Sequence, residues 1–279
     1  DAISTTSELV KISSDGNLGL EEGQKFERGG IYRFTVDVTK GITKAVLTVE
    51  KVGKVDLPAP DIFFGNDKME VTDTDIYKSD QAFTQGQMIT VTGIDNLNEW
   101  WIDPDFFEKQ SDGALKFLPI NGDYRVTANA VLKYFSVMAL KDGKPAKLQD
   151  DGTGAIWAIG KGIGKPSVTS SEVGWEPSKA LCLAQVASKK YQLTLKAGET
   201  LKTSGDPEVI SFKFFHQNDW GGEFGNYASS ILVEQLKLAD SGNLEMQDNK
   251  AFEEGAVYRF IIDVTNGNAN ADLKVEKIN

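Results

Sequence analysis

The sequence predicts an all-β protein made of tandem antiparallel β-sandwiches. Three observations predict it. The first fifty of its 279 residues return, ungapped, as the last fifty. Short runs alternate apolar and polar residues with period two, and Gly, Asn and Asp fall between them about every 8–15 residues. No long stretch carries apolar residues at helical spacing.

The repeat is legible residue by residue. Asp15-Gly16-Asn17-Leu18 aligns with Ser241-Gly242-Asn243-Leu244, and Phe26 to Phe34 aligns with Phe252 to Phe260. Asp37-Val38-Thr39-Lys40-Gly41 matches Asp263-Val264-Thr265-Asn266-Gly267, and Leu47–Lys51 matches Leu273–Lys277. Solenoids and propeller blades repeat every ~20–50 residues, far less than this spacing, so whole domains stand in tandem. The first copy has no room upstream for the rest of its domain. The sequence is therefore expected to start partway through a repeating unit of a longer protein.

Taken in order, Tyr32–Val38 and Ala45–Glu50 alternate with period two around a Gly-containing connection, which predicts a hairpin. The later copy turns through Asn266-Gly267-Asn268, a step that tolerates positive φ. Lys54–Pro60 carries two prolines and reads as a linker. Strands follow at Met88–Gly93, Leu115–Pro119, Gly122–Ala128 and Leu132–Leu140. Asp150–Gly154 breaks the pattern. Ala155–Gly160, Lys190–Leu195, Ile210–Phe215 and the last hairpin resume it. Three pieces result: residues 1–53 as the C-terminal part of a first sandwich, 54–150 as an immunoglobulin-like (Ig-like) sandwich, and 151–279 as a complete second copy.

Composition narrows the chemistry. A formal charge of −11 repels nucleic acid and anionic lipid. No apolar run reaches the ~20 residues of a membrane span, and for an exported protein the targeting segment is expected to have been removed or to lie upstream of Asp1. The single cysteine, Cys182, excludes an intrachain disulfide and reads as a small buried side chain. The single histidine, His216, reads as a strand-end hydrogen bonder rather than a general base. One cysteine and one histidine argue against a zinc site, and no cofactor is expected. Gly160-Lys161-Gly162-Ile163-Gly164-Lys165-Pro166 fails as a phosphate loop: the spacing is wrong, and Pro166 stands where Ser or Thr should be. It reads as a flexible glycine loop beside a sheet. Asp73-Thr74-Asp75 lacks the glycine and distal glutamate of a calcium loop. Glu99, Asp103, Asp105 and Glu108 cluster around Trp100 and Trp101. They offer a carboxylate pair for glycoside hydrolysis only if two of them face each other across a cleft.

What remains is aromatic. Trp100-Trp101, Trp175 and Trp220 lie in segments rich in Gly, Asn or Asp. A loop tryptophan can leave one flat apolar face open, and a pyranose offers a flat apolar face to stack on it. Trp157 lies in an apolar run and is expected in the core. Trp100 and Trp101 are adjacent, so an extended backbone sends them to opposite faces. Trp175 and Trp220 either present an open face or plug the end of a sandwich. Lys179, Gln217, Asn218 and Asp219 are the nearby hydrogen-bonding candidates.

These residues carry a resemblance. Ile156-Trp157-Ala158-Ile159-Gly160, Gly174-Trp175, Ala180–Leu183, Lys190–Leu195 with Ala197-Gly198-Glu199, Phe212–Phe215, Asp219-Trp220-Gly221 and Phe224-Gly225 together resemble the glycan-binding domains of the SusE/SusF outer-membrane proteins of gut bacterial starch-utilisation systems. Gly93–Phe107 followed by Ile156–Gly225 is similar to a module of uncharacterised function in related surface lipoproteins, with an Ig-like segment before the sandwich. The resemblance implies a cell-surface lipoprotein of the outer membrane, held by a lipid anchor outside this chain. It implies capture of a neutral glycan beside a TonB-dependent transporter and its surface lipoproteins, without catalysis. The loop Gly162–Val173 departs from the starch binders, whose ligand-bonding residues have no one-to-one match here. Three readings stand: a non-enzymatic glycan binder using Trp175 and Trp220 with Lys179, Gln217, Asn218 and Asp219, and Trp100 or Trp101 as a second site; a spacer or assembly subunit; and an enzyme using the acidic cluster.

Overall fold

The computed structural model describes residues 3–14, 16–22, 24–203 and 209–279. Strands make up 46% of it and helix 6%, so the all-β expectation is met. Among the described residues no helix is long and apolar enough to cross a membrane. The chain forms two compact units, residues 1–60 and 61–279.

In the first unit, Gly30–Asp37 pairs antiparallel with Val46–Lys54, placing Phe34 opposite Val49 and Asp37 opposite Val46. The connection turns through Gly41, at φ 91°, and a 3-10 turn at Ile42–Lys44. The second copy repeats this with Val257–Asp263, Gly267 at φ 92°, and Asp272–Lys277. Burial then separates the copies. Phe260, Ile262 and Val264 are buried, whereas their counterparts Phe34, Val36 and Val38 are exposed. The second copy has a strand on the other edge of its hairpin, Lys190–Lys196, with Leu193 opposite Phe260. The described residues of the first unit place only Val46–Lys54 beside Gly30–Asp37. Its core is small, built on Val10, Leu47 and Val49.

The second unit holds two β-structured halves. The first half, up to Pro145, has a five-stranded sheet centred on Gly122–Asn129 and two three-stranded sheets. The sandwich half faces a six-stranded sheet, built on Trp157–Gly164, with a five-stranded sheet built on Lys190–Lys196 and Val257–Asp263. The composition break at Asp150–Gly154 does not separate two cores. One continuous apolar cluster runs from Ile62 to Val275. Backbone and side-chain bonds also cross the junction: Ile120 N–H donates to Gln185 O at 2.8 Å, and Trp157 Nε1 donates to Ala146 O at 3.0 Å. Trp157 is in the core, as its apolar run predicts.

The glycine run is a correction. It is no flexible loop: Trp157–Gly164 is one continuous central strand. Its glycines admit neighbouring backbone too close for any side chain. A Cβ on Gly160 would lie 2.3 Å from Phe212 Cα, and one on Gly164 would lie 2.3 Å from Ser171 O. Gly160 also sits at φ 142°. Gly160→Ala is expected to cost about 1–3 kcal/mol, because the sheet must open to admit the methyl group. A urea midpoint equal to wild type would refute this.

Candidate aromatic ligand site

Two loops at one end of the six-stranded sheet build the site. Glu172–Gly174 pairs with the glycine strand, Gly174 opposite Gly160. The chain then passes Trp175 and enters a 3-10 turn at Pro177–Lys179, with proline in its first turn. The second loop follows Ser211–Phe215. His216 N–H bonds Gly222 O at 2.7 Å, and Phe215 bridges Glu223, so residues 216–222 form a closed turn. Gly221 and Gly222, at φ 85° and 69°, supply the positive φ this turn needs.

These loops bring Trp175 and Trp220 together. Their ring centroids are 6.2 Å apart and their planes differ by 26°. Phe215 meets Trp220 edge-on at 6.0 Å. Trp175 is half-buried against the core, while Trp220 is 49% exposed. Trp220 is therefore the open ring, and Trp175 and Phe215 hold it in place. Two of the expected polar residues bond the backbone of Trp220. Asp219 Oδ1 accepts from Trp220 N–H at 2.8 Å, and Gln217 Nε2 donates to Trp220 O, so both shape the loop that carries the indole. Asn218 Oδ1 is buried without a hydrogen-bond partner. Lys179 is exposed and pairs with Glu176 at 3.0 Å, a partner no sequence signal identified.

Trp100 does not belong to any open site. It is 7% exposed and stacks on Phe135 at 4.6 Å. Trp100 turns into the core. Trp101 is only partly open: its Nε1 donates to Glu199 Oε1 at 2.8 Å.

The acidic cluster is dispersed. Glu99 pairs with Lys133, and Glu108 with Lys116. Asp103 and Asp105 are buried around Lys165, whose Nζ lies 2.8 Å from Asp103 Oδ2 and 3.1 Å from Asp105 Oδ2. Thr194 N–H, Thr194 Oγ1 and Gln192 Nε2 also donate to Asp105, at 2.6, 2.6 and 2.7 Å. Burial pushes both carboxyls up. At Asp105 the Lys165 ammonium and the three donors outweigh burial and hold it below the carboxylate range; Asp103, beside a second carboxylate, stays raised. The two groups share one cation instead of facing each other across an open cleft.

The other reactive side chains are also enclosed. Burial pushes the Cys182 thiol up to about 12 and lowers the pKa of His216. The His216 ring packs edge-on against Phe224 at 4.3 Å, and its Nε2 is buried without a partner. Its hydrogen bonds run through its backbone instead, which also accepts from Leu148 N–H.

The fold and this aromatic end define a multidomain β-sandwich protein. Residues 1–39 and 151–265, more than half of the chain, match a family described as a domain of unknown function (DUF5121), and the chain belongs to it. Residues 56–148 match a second, also described as a domain of unknown function (DUF5125). No curated protein matches the chain.

Proposed function

We propose that this chain is a non-catalytic, cell-surface binder of a neutral polysaccharide or oligosaccharide, holding it for a TonB-dependent uptake system in the manner of the SusE/SusF proteins it resembles. The observation that carries this reading is the half-exposed Trp220 indole, backed by Trp175 and Phe215. A backed aromatic ring offers a flat apolar surface at little entropic cost on binding. Hydrogen-bonding side chains at Asp219 and Lys179 stand in the same loops, ready to orient sugar hydroxyls. A net charge of −11 does not oppose a neutral ligand.

The test is retention of the intact chain on a glycan array and in affinity gels of neutral polysaccharides. Trp220→Ala is expected to weaken retention about tenfold, equivalent to ~1.4 kcal/mol. A folded wild-type chain that retains no glycan sinks the reading. If glycan binds equally well to Trp220→Ala, the site is misplaced. The spacer reading draws on a different observation, the single apolar core that makes residues 61–279 one stiff body. It predicts no glycan retention by the folded chain.

A further inference from the structure

We propose that the groove between the two halves of residues 61–279 is a second ligand site, taking a neutral, hydroxyl-rich ring with one apolar face, such as a pyranose unit. The proposal rests on the glycan-binding reading above for its ligand class; its aromatic wall, Trp101, is distinct from the Trp175–Trp220 pair, while Lys179 borders both.

The cavity measures about 520 Å³ and is built from both halves. One wall is Trp101 with Ser136 and Met138 from strand Tyr134–Lys141; the other is the short helix Val168–Ser171 and the turn Pro177–Lys179. Small-molecule sites favour such junctions and span roughly 300–1,000 Å³. The aromatic wall is fixed in advance. Trp101 Nε1 is held by Glu199 from the opposite half, its backbone N–H donates to Lys133 O at 2.8 Å, and Lys165 Nζ stands 5.9 Å from the ring centroid. A ring fixed at one edge by the Glu199 bond, with the Lys165 ammonium over it, loses little freedom when a ligand stacks on it.

Charge selects the ligand class. Each ion at the groove is already matched: Lys165 with Asp103 and Asp105, Glu172 with Lys202 at 3.0 Å, and Lys179 with Glu176. An anionic ligand would lose its hydration and find no unpaired cation, since Lys165, Lys179 and Lys202 each already face a carboxylate. What the lining otherwise offers is serine hydroxyls, among them Ser136 and Ser178, which both donate and accept. That combination of one indole, hydroxyls and no unpaired cation suits sugar hydroxyls and an apolar C–H face.

The probes are maltohexaose, cellohexaose, xylohexaose and mannohexaose, with hexagalacturonate as the charged comparison, titrated calorimetrically into the full chain. With the best neutral hexasaccharide, wild type is expected to bind two equivalents. Trp220→Ala should retain one, the groove. Ser136→Trp fills the groove from its strand wall and, in a variant that melts as wild type does, should likewise retain one. Trp101→Phe keeps a ring but loses the Glu199 bond, and should weaken the groove about fivefold. If wild type binds one equivalent that Trp220→Ala abolishes and Ser136→Trp leaves unchanged, the groove proposal is overturned while the function stands. If the folded wild type binds none, both fall. Preference of the groove for hexagalacturonate would overturn the assigned ligand class.

Discussion

Lys165→Met is expected to destabilise residues 61–279 by about 3–5 kcal/mol, the cost of removing one partner from a buried ion cluster. The lysine side chain is 6% exposed, and its partners Asp103 and Asp105 are 7% and 1% exposed. The substitution leaves two carboxylates facing each other in a water-poor interior. Asp105 retains its bonds from Thr194 and Gln192, so Asp103 carries the larger share of the damage. For a unit of this size the loss lowers the melting temperature by roughly 6–20 °C.

The pH dependence follows from the same groups. Burial alone would lower the Lys165 pKa, but the two carboxylates outweigh it and hold the pKa above the ordinary lysine range. The lysine's own titration leaves this stabilisation intact from neutral pH up to about pH 10, and it is lost as pH rises through the raised value. In Lys165→Met the orphaned carboxyls have raised pKa values. The variant then loses stability as pH rises, and should lie closest to wild type near pH 4 and furthest from it at pH 7. Thermal melts of both proteins across that range are the measurement. An unchanged midpoint at pH 7 would show that the cluster does not hold the two halves together.

Phe260→Ala and Phe34→Ala, the same repeat position in the two copies, are expected to differ several-fold in cost. Phe260 is fully buried and packs against Phe212 at 5.5 Å and Phe214 at 6.4 Å. Its truncation leaves a cavity and should cost about 3–5 kcal/mol. Phe34 is 49% exposed, so its truncation should cost about 0.5 kcal/mol or less. All five tryptophans lie between Trp100 and Trp220, so tryptophan fluorescence follows the second unit alone and far-UV circular dichroism follows both. Equal costs at the two positions would mean that the first copy buries its hairpin in solution as the second copy does.

This contrast also marks how far the chain could be read unaided. The repeat, the hairpins and the all-β class were legible because they rest on neighbours: period-two alternation, turn residues and an ungapped match need no knowledge of the fold. The inward turn of Trp100 was half legible, since adjacent residues on extended backbone must diverge, but not which of the pair would enter the core. The glycine run misled. In sequence Gly160, Gly162 and Gly164 look like slack, and only the approach of Phe212 and Ser171 shows that the bare backbone is there to be packed against.

The strands, the tandem copies and the aromatic character of the candidate site are each written in residues close together along the chain. Tertiary structure alone decided that Trp175 and Trp220 meet, that Lys165 reaches across about sixty residues to two aspartates, and that Trp101 borders a groove built from both halves. Those contacts join residues far apart in the chain, and their energies depend on burial and distance, which no local pattern encodes.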